Sequence, residues 1–236
     1  MSLDEDQEDS KLPSTNFDEP YFRQRQGNDP LRQKSFEQER AYLLRQLGRE
    51  IFDEGMLLDV GCSTGEFIDA IGWKIGHAYG MEISDYARRI AENKGIKFER
   101  NLLNSDRFFD LIVFRGTIQY IPDPFFYIER AFRALKSGGH VIFFATPNTR
   151  SPYYLFFGTL PFLEENINYL IPCDTSLAMN LRNAGFEVLQ LNFPYLGTPY
   201  ARPVRDHLKF AKKLFFGTAD RFPFWKSSMT VFARKP

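Results

Sequence analysis

Two cysteines and three histidines are all that 236 residues offer for thiolate or imidazole chemistry. Cys62 and Cys173 lie far apart and His77, His140 and His207 are scattered, so there is no disulfide framework and no metal-ligand spacing. No metal is expected, and the cysteine usage suits a reducing, cytoplasmic setting. Net charge is missing as well. The 30 Lys and Arg balance the 30 Asp and Glu, leaving no overall field to attract nucleic acid, and none is expected as a partner. No apolar run approaches the ~20 residues of a membrane-spanning helix. The opening residues are acidic and polar rather than basic and then apolar, so no secretory signal is expected there.

Aromatic residues are what the chain has in excess. Phenylalanine alone occurs 25 times, with many copies in the second half, which points to an apolar substrate site or a lid. At 43% hydrophobic, the chain has room for one large α/β core with decorations.

The organising stretch runs Met56-Leu57-Leu58-Asp59-Val60-Gly61-Cys62-Ser63-Thr64-Gly65-Glu66-Phe67. Leu57, Leu58 and Val60 suit a strand buried on both faces, and Gly61 and Gly65 allow a tight turn with close backbone approach. Ser63 or Thr64 is placed to cap the helix that follows, whose apolar positions Phe67, Ile68 and Ile71 fall at helical spacing. Strand, loop and helix start together make a pocket for a polar or anionic small molecule.

A dinucleotide fingerprint would need glycine where Ser63 and Glu66 stand. Gly61-Cys62-Ser63-Thr64-Gly65 also matches the G-x-S-x-G nucleophile elbow. No convincing strand precedes residue 56, however, and no later Asp-then-His pairing has a local signature. The third reading uses His77-Ala78-Tyr79-Gly80-Met81-Glu82-Ile83, a second strand with an acid at its end, about 20 residues after the glycines, where a ribose-binding carboxylate belongs. Gly61, Gly65 and Glu82 then make a nucleoside site.

Through Asp59-Val60-Gly61-Cys62-Ser63-Thr64-Gly65 and Glu82 the chain resembles the class I S-adenosylmethionine-dependent methyltransferases, up to about residue 193. Within them it looks most like the small-molecule enzymes of the ubiquinone-biosynthesis and sugar-methyltransferase type. Ser63 stands where those relatives usually carry their middle glycine. The resemblance implies a doubly wound, mostly parallel seven-stranded sheet and S-adenosyl-L-methionine as cofactor. The cofactor-binding residues would be Asp59, Gly61, Cys62, Gly65, Glu82, Ile83, Asn101, Leu102 and Arg115.

In those roles Glu82 takes the ribose hydroxyls, Asn101 and Leu102 line the adenine, and Asp59 supports the loop and the donor's amino group. A buried acid such as Asp59 is costly without a cationic or donor partner. Arg115 reaches an anionic substrate, the donor carboxylate, or a nearby acid. Tyr120 stands where relatives often have histidine; it is the candidate catalytic or substrate-orienting residue, and a neutral tyrosine is a poor base.

Taken in order, residues 1–16 read as an acidic solvated tail and 17–236 as a single domain. Residues 17–55 form a strap, broken at Pro30, and a helix over about Ser35 to Ile51. The strap would pack on the core or carry a basic group to the donor. A helix capped by Ser84-Asp85 follows Glu82, and strands are expected at Ile96–Glu99, Phe109–Phe114, His140–Ala145, Phe186–Phe193 and Ser228–Ala233, the last antiparallel. Helices are expected over Pro124–Leu135 and Asp174–Ala184.

Two insertions, 149–172 and 194–227, fall over the substrate side. The second carries Arg202, Arg205, Lys209, Lys212, Lys213, Arg221 and Lys226 against only Asp206 and Asp220, and Val204–Phe216 reads as a basic amphipathic helix that suits peripheral membrane contact. The expected function is methyl transfer to a small molecule, such as a sugar, a lipid-linked or a quinone-like acceptor. The alternative is a non-catalytic nucleoside-binding or assembly protein with the same fold.

Overall fold

The computed structural model describes residues 19–25, 29–99, 102–104, 106–163 and 168–236. The expected acidic tail 1–16 and the expected adenine neighbour Asn101 lie outside the described residues.

Among the described residues three helices precede the sheet, α1 (Glu19–Arg25), α2 (Pro30–Leu47) and the short α3 (Glu50–Glu54). Pro30 begins α2 and does not interrupt a segment: it occupies the first turn, where its missing N–H costs nothing, and the Asp29 side chain accepts from Leu31 N at 2.9 Å. The helix therefore starts about five residues before the apolar pattern suggests. Its buried anchors Phe36 and Leu43 sit seven residues apart on one face, each contributing roughly 1.5–3 kcal/mol by burial.

The alternation then proceeds through β1 (Leu57–Val60), α4 (Glu66–Ile71), β2 (Ala78–Met81), α5 (Asp85–Asn93), β3 (Phe109–Arg115), α6 (Pro124–Ala134) and β4 (Leu135–Pro147). It continues with α7 (Pro152–Phe157), α8 (Asp174–Asn183), β5 (Glu187–Asn192), α9 (Pro203–Phe216) and β6 (Ser228–Arg234). The sheet order is β2-β1-β3-β4-β6-β5. The pairs β2–β1, β1–β3 and β3–β4 are parallel, and β6 runs antiparallel between β4 and β5.

The sheet has six strands among the described residues and not the expected seven. Ile96–Glu99 reaches β2 through a single parallel bridge, Tyr79 to Lys97. This segment is at the sheet edge with one neighbour, and only Ile96 of it is fully buried, so the ladder stops after one rung.

Period-two alternation divides the strand side chains between two cores. Leu58, Val60, Ile112, Phe114, Val141 and Phe143 face α6 and α8, while Leu57, Leu111, Val113, Ile142, Phe144 and Phe232 face α2 and α4. Helices on both faces make this a doubly wound sheet, whose ligand crevice lies beyond the carboxyl ends of its parallel strands. A third, smaller core of Tyr153, Phe222 and Phe224, with Phe157 and Phe210 against it, belongs to the segments 149–172 and 194–227.

Candidate functional site

The loop after β1 is held by the end of β2. Gly61 N and Cys62 N both donate to Met81 O, at 2.8 and 3.1 Å. Ser63 N donates to Glu82 Oε2 at 2.9 Å, and Ser84 N to Glu82 Oε1 at 2.9 Å. With each carboxylate oxygen anchored by a backbone donor, Glu82 is held in one orientation at the cavity wall. Burial raises its pKa and the backbone hydrogen bonds oppose the rise.

Neither Ser63 nor Thr64 caps α4. Gly65, in the left-handed region at φ 76°, occupies the N-cap position and no side chain bonds there. Ser63 itself has φ 54°, a conformation stabilised by the bond its N–H gives Glu82.

The two glycines have different duties. A Cβ on Gly61 would meet the Thr117 side chain at 2.5 Å, so that glycine allows the loop to close on the segment after β3. The missing Cβ of Gly65 faces Ile96 and Ala91 in the core; Gly65 does not line the cavity, so a substitution there disturbs packing before it reaches any ligand.

Asp59 is buried on β1, and its Oδ1 has no hydrogen-bond partner. Burial pushes its pKa up to about 7; nearby Arg115 opposes the rise, and Glu82 and Glu39 add to it. Cys62 is buried beside it, and burial with those acids holds the thiol well above its ordinary value, hence neutral. Arg115 is committed to a nearby acid: its Nε and Nη2 donate to Glu39 of α2 at 2.7 and 3.2 Å, with the guanidinium over the Phe36 ring at 4.5 Å. Of the strap's basic residues Arg23, Arg25 and Arg32, Arg32 pairs with Glu66 at 3.1 Å.

One cavity of about 2300 Å³ collects most of the expected residues: Asp59, Gly61, Cys62, Glu82, Ile83, Leu102, Arg115 and Tyr120 all line it. Ile83 is half exposed and Leu102 fully buried, so they offer one open and one closed apolar surface. The segments 149–172 and 194–227 complete the wall with Phe162, Tyr169, Tyr195 and Phe224 among others. None of the three histidines lines it, which leaves Ser63 without the base that the elbow reading requires.

Gln119 is a cavity-lining residue that the sequence reading passed over. It is buried beside Tyr120 at the cavity, its Nε2 donates to Gly116 O at 2.9 Å, and its buried Oε1 has no partner. Its backbone oxygen accepts from Tyr169 N at 2.9 Å, tying the first insertion down. Its one sequence signal was adjacency to Tyr120. Gly80 was missed too; a Cβ there would meet Cys62 Sγ at 2.6 Å.

A family profile described as "Methyltransferase domain" matches residues 31–191. The chain is similar to a ubiquinone biosynthesis O-methyltransferase of Saccharophagus degradans, 26% identical over 179 residues, covering 68% of this chain and 73% of that protein. It is similar to the enzyme of the same description from Nitrosomonas europaea, 27% identical over 114 residues. That match covers 44% of this chain and spans only about half, 48%, of the relative's length. Among solved structures, a methyltransferase of Thermotoga maritima described as a possible histamine N-methyltransferase superposes with TM-score 0.56 at 20% identity, covering 87% of this chain and 89% of that one. At that identity the likeness concerns the fold.

Proposed function

The chain belongs to the methyltransferase domain family, and from that premise we propose that it transfers a methyl group from S-adenosylmethionine to a small, largely apolar acceptor. The carrying observation is the cavity. Its volume of about 2300 Å³ exceeds the roughly 300–1,000 Å³ that a single drug-sized ligand fills, so a nucleoside donor and a second molecule fit side by side.

The residues fit the donor chemically. Glu82 presents a fixed carboxylate suited to two vicinal hydroxyls, as in a ribose. The orphaned, buried Oδ1 of Asp59 suits a cationic amino group, which would supply the partner this carboxylate lacks. Ile83 and Leu102 suit the two faces of a purine. The donor supplies an electrophilic methyl on a sulfonium, whose leaving group is a neutral thioether.

The protein's task is then alignment and exclusion of water. Tyr120 and Gln119 both line the cavity, and an acceptor hydroxyl or amine that reached Gln119 Oε1 would supply the partner this buried oxygen lacks. The rings of Phe162, Tyr169, Tyr195 and Phe224 suit a quinone-like or lipid-linked acceptor better than a free sugar. The likeness to ubiquinone biosynthesis O-methyltransferases points the same way.

The test is turnover of the purified chain with methyl-labelled donor and a fractionated lipid and metabolite extract. Label is expected in an apolar, small-molecule fraction. Label confined to protein or nucleic acid would overturn the acceptor reading, and absence of binding to S-adenosylhomocysteine would overturn the donor reading.

A further inference from the structure

Helix α9 carries two apolar stripes on different sides. The inward one is built on Phe210, whose ring stacks on Phe224 at 4.3 Å, with the buried Asp206 one turn earlier. The outward one is Val204, Leu208, Ala211 and Phe215, at the i, i+4, i+7, i+11 spacing of a single helix face. Its large members are 78%, 67% and 75% exposed, and Phe216 beside them is 78% exposed. The adjoining α7, which meets α9 through Phe156 and Phe210 at 5.7 Å, adds Leu155 at 72% and Phe156 at 61% exposure. Scattered surface apolars are ordinary, but a ridge of bulky ones along one helix face is not.

The charges around this ridge are sorted. Lys209 pairs with Asp220 at 3.3 Å, and Lys213 donates to Thr218 O at 2.7 Å and lies over the Phe157 ring. Asp206 is turned inward, accepting from Tyr195 Oη at 3.1 Å and Arg202 N at 2.7 Å. Arg205 and Lys212, seven residues apart, are left exposed along the flank of the outward stripe. Both acids of the segment are thus engaged, and what the ridge shows outward is apolar bulk bordered by cations.

We propose that the outward face of α9 is a docking surface for an anionic lipid bilayer, with the outward stripe entering the headgroup boundary and Arg205 and Lys212 meeting lipid phosphates. Charge complementarity selects this occupant. A second copy of the chain docking symmetrically would set the same cations against each other. Among the described residues no helix is long and apolar enough to cross a membrane, so the contact is peripheral. The inference rests on the outward surface of α9 and holds whatever the acceptor is.

The experiment is co-sedimentation of the full chain with vesicles of phosphatidylcholine alone and of phosphatidylcholine with phosphatidylglycerol. The wild type is expected to sediment with the anionic vesicles, and less so as salt is raised. Leu208→Ser with Phe215→Ser should lower partitioning by about tenfold or more. Arg205→Ser with Lys212→Ser should lower it by roughly fivefold per charge, on anionic vesicles only. All four positions are exposed, so unchanged melting and unchanged S-adenosylhomocysteine affinity are expected of both variants. Wild-type protein that stays in solution with anionic vesicles would overturn the proposal. So would a Leu208→Ser/Phe215→Ser variant that binds them as the wild type does, or one that only converts a dimer to monomer in sedimentation velocity.

Discussion

The cavity has two walls held by different forces. The wall built by β1, β2 and the loop between them is set by directional hydrogen bonds: Gly61 N and Cys62 N to Met81 O, and Ser63 N and Ser84 N to Glu82. The other wall includes Phe224, which is backed by a cap of rings in which Tyr153 meets Phe157 and Phe222 at 5.0 and 5.1 Å and Phe210 stacks on Phe224. Backbone bonds fix positions to a fraction of an ångström, which suits a ligand whose polar groups never change. Ring contacts, each worth about 0.5–1.5 kcal/mol beyond burial, hold shape with little direction and can be remodelled ring by ring. Under the proposed function the chain would use precision on the donor side and adaptable bulk on the acceptor side.

The largest effect that separates the walls is expected from Tyr153→Ala. The side chain is fully buried at the centre of the cap and its hydroxyl donates to Asp220 O at 3.1 Å, so its loss should cost about 3–5 kcal/mol of cap stability. Hydrogen exchange should show the cap opening while S-adenosylhomocysteine affinity stays near wild type. An equal loss of affinity would mean the walls are one cooperative unit.

Glu82→Ala should act on the other wall. It removes the proposed ribose acceptor and frees Ser63 N and Ser84 N, with an expected loss of analogue binding of roughly 1.5–3 kcal/mol by calorimetry. Glu82→Gln, which keeps an acceptor oxygen, should fall between. Wild-type affinity in a folded Glu82→Ala protein would remove this residue from the donor wall.

Asp59 gives the comparison a pH axis. Its folded pKa of about 7 exceeds that of an unfolded carboxyl, near ~4, so between those values the folded chain keeps a proton that the unfolded chain has released. Its contribution to stability is therefore full below about pH 4 and is lost as pH rises through about 7, at up to ~1.4 kcal/mol per pH unit in that window. Denaturant titrations should show this slope, and Asp59→Asn should flatten it. An ammonium placed at Asp59 pulls its pKa down, so analogue binding should release protons below pH 7, visible as buffer-dependent heat. An unchanged slope in Asp59→Asn would contradict the assignment.

The smallest effect on stability is expected from Gln119→Leu, which removes both a buried unpaired oxygen and the bond to Gly116 O and should shift stability by under about 1 kcal/mol. Donor-analogue affinity should not move, while turnover with the acceptor should fall about tenfold, as for loss of a hydrogen bond of about 1.4 kcal/mol. Unchanged turnover would return Gln119 to a packing role.

Much of the wall built by β1 and β2 was legible because its signals are local. An apolar run broken by Gly61 and an acid at the end of the next run place strand, turn and strand end within some 25 residues. The same logic found α5, α6 and α8 nearly to the residue. It failed where a local signal had two structural uses. Pro30 reads as a breaker and serves as a helix start; Ser63 reads as a cap and serves as a left-handed link to Glu82; Ile96–Glu99 reads as a strand and makes one bridge.

The sequence by itself determined the order and type of most elements, because period-two and helical spacing are properties of neighbouring residues. The tertiary structure alone decided how distant residues share space. It joined Arg115 to Glu39 across 76 positions, pointed the bare face of Gly65 at Ile96, and left Gln119 Oε1 buried without a partner. In α9 the spacing showed an amphipathic basic helix, but both of its stripes are apolar. Only the stacking of Phe210 on Phe224 decides that Leu208 and Phe215 face outward, since burial depends on what lies opposite a side chain and not on its neighbours in the chain.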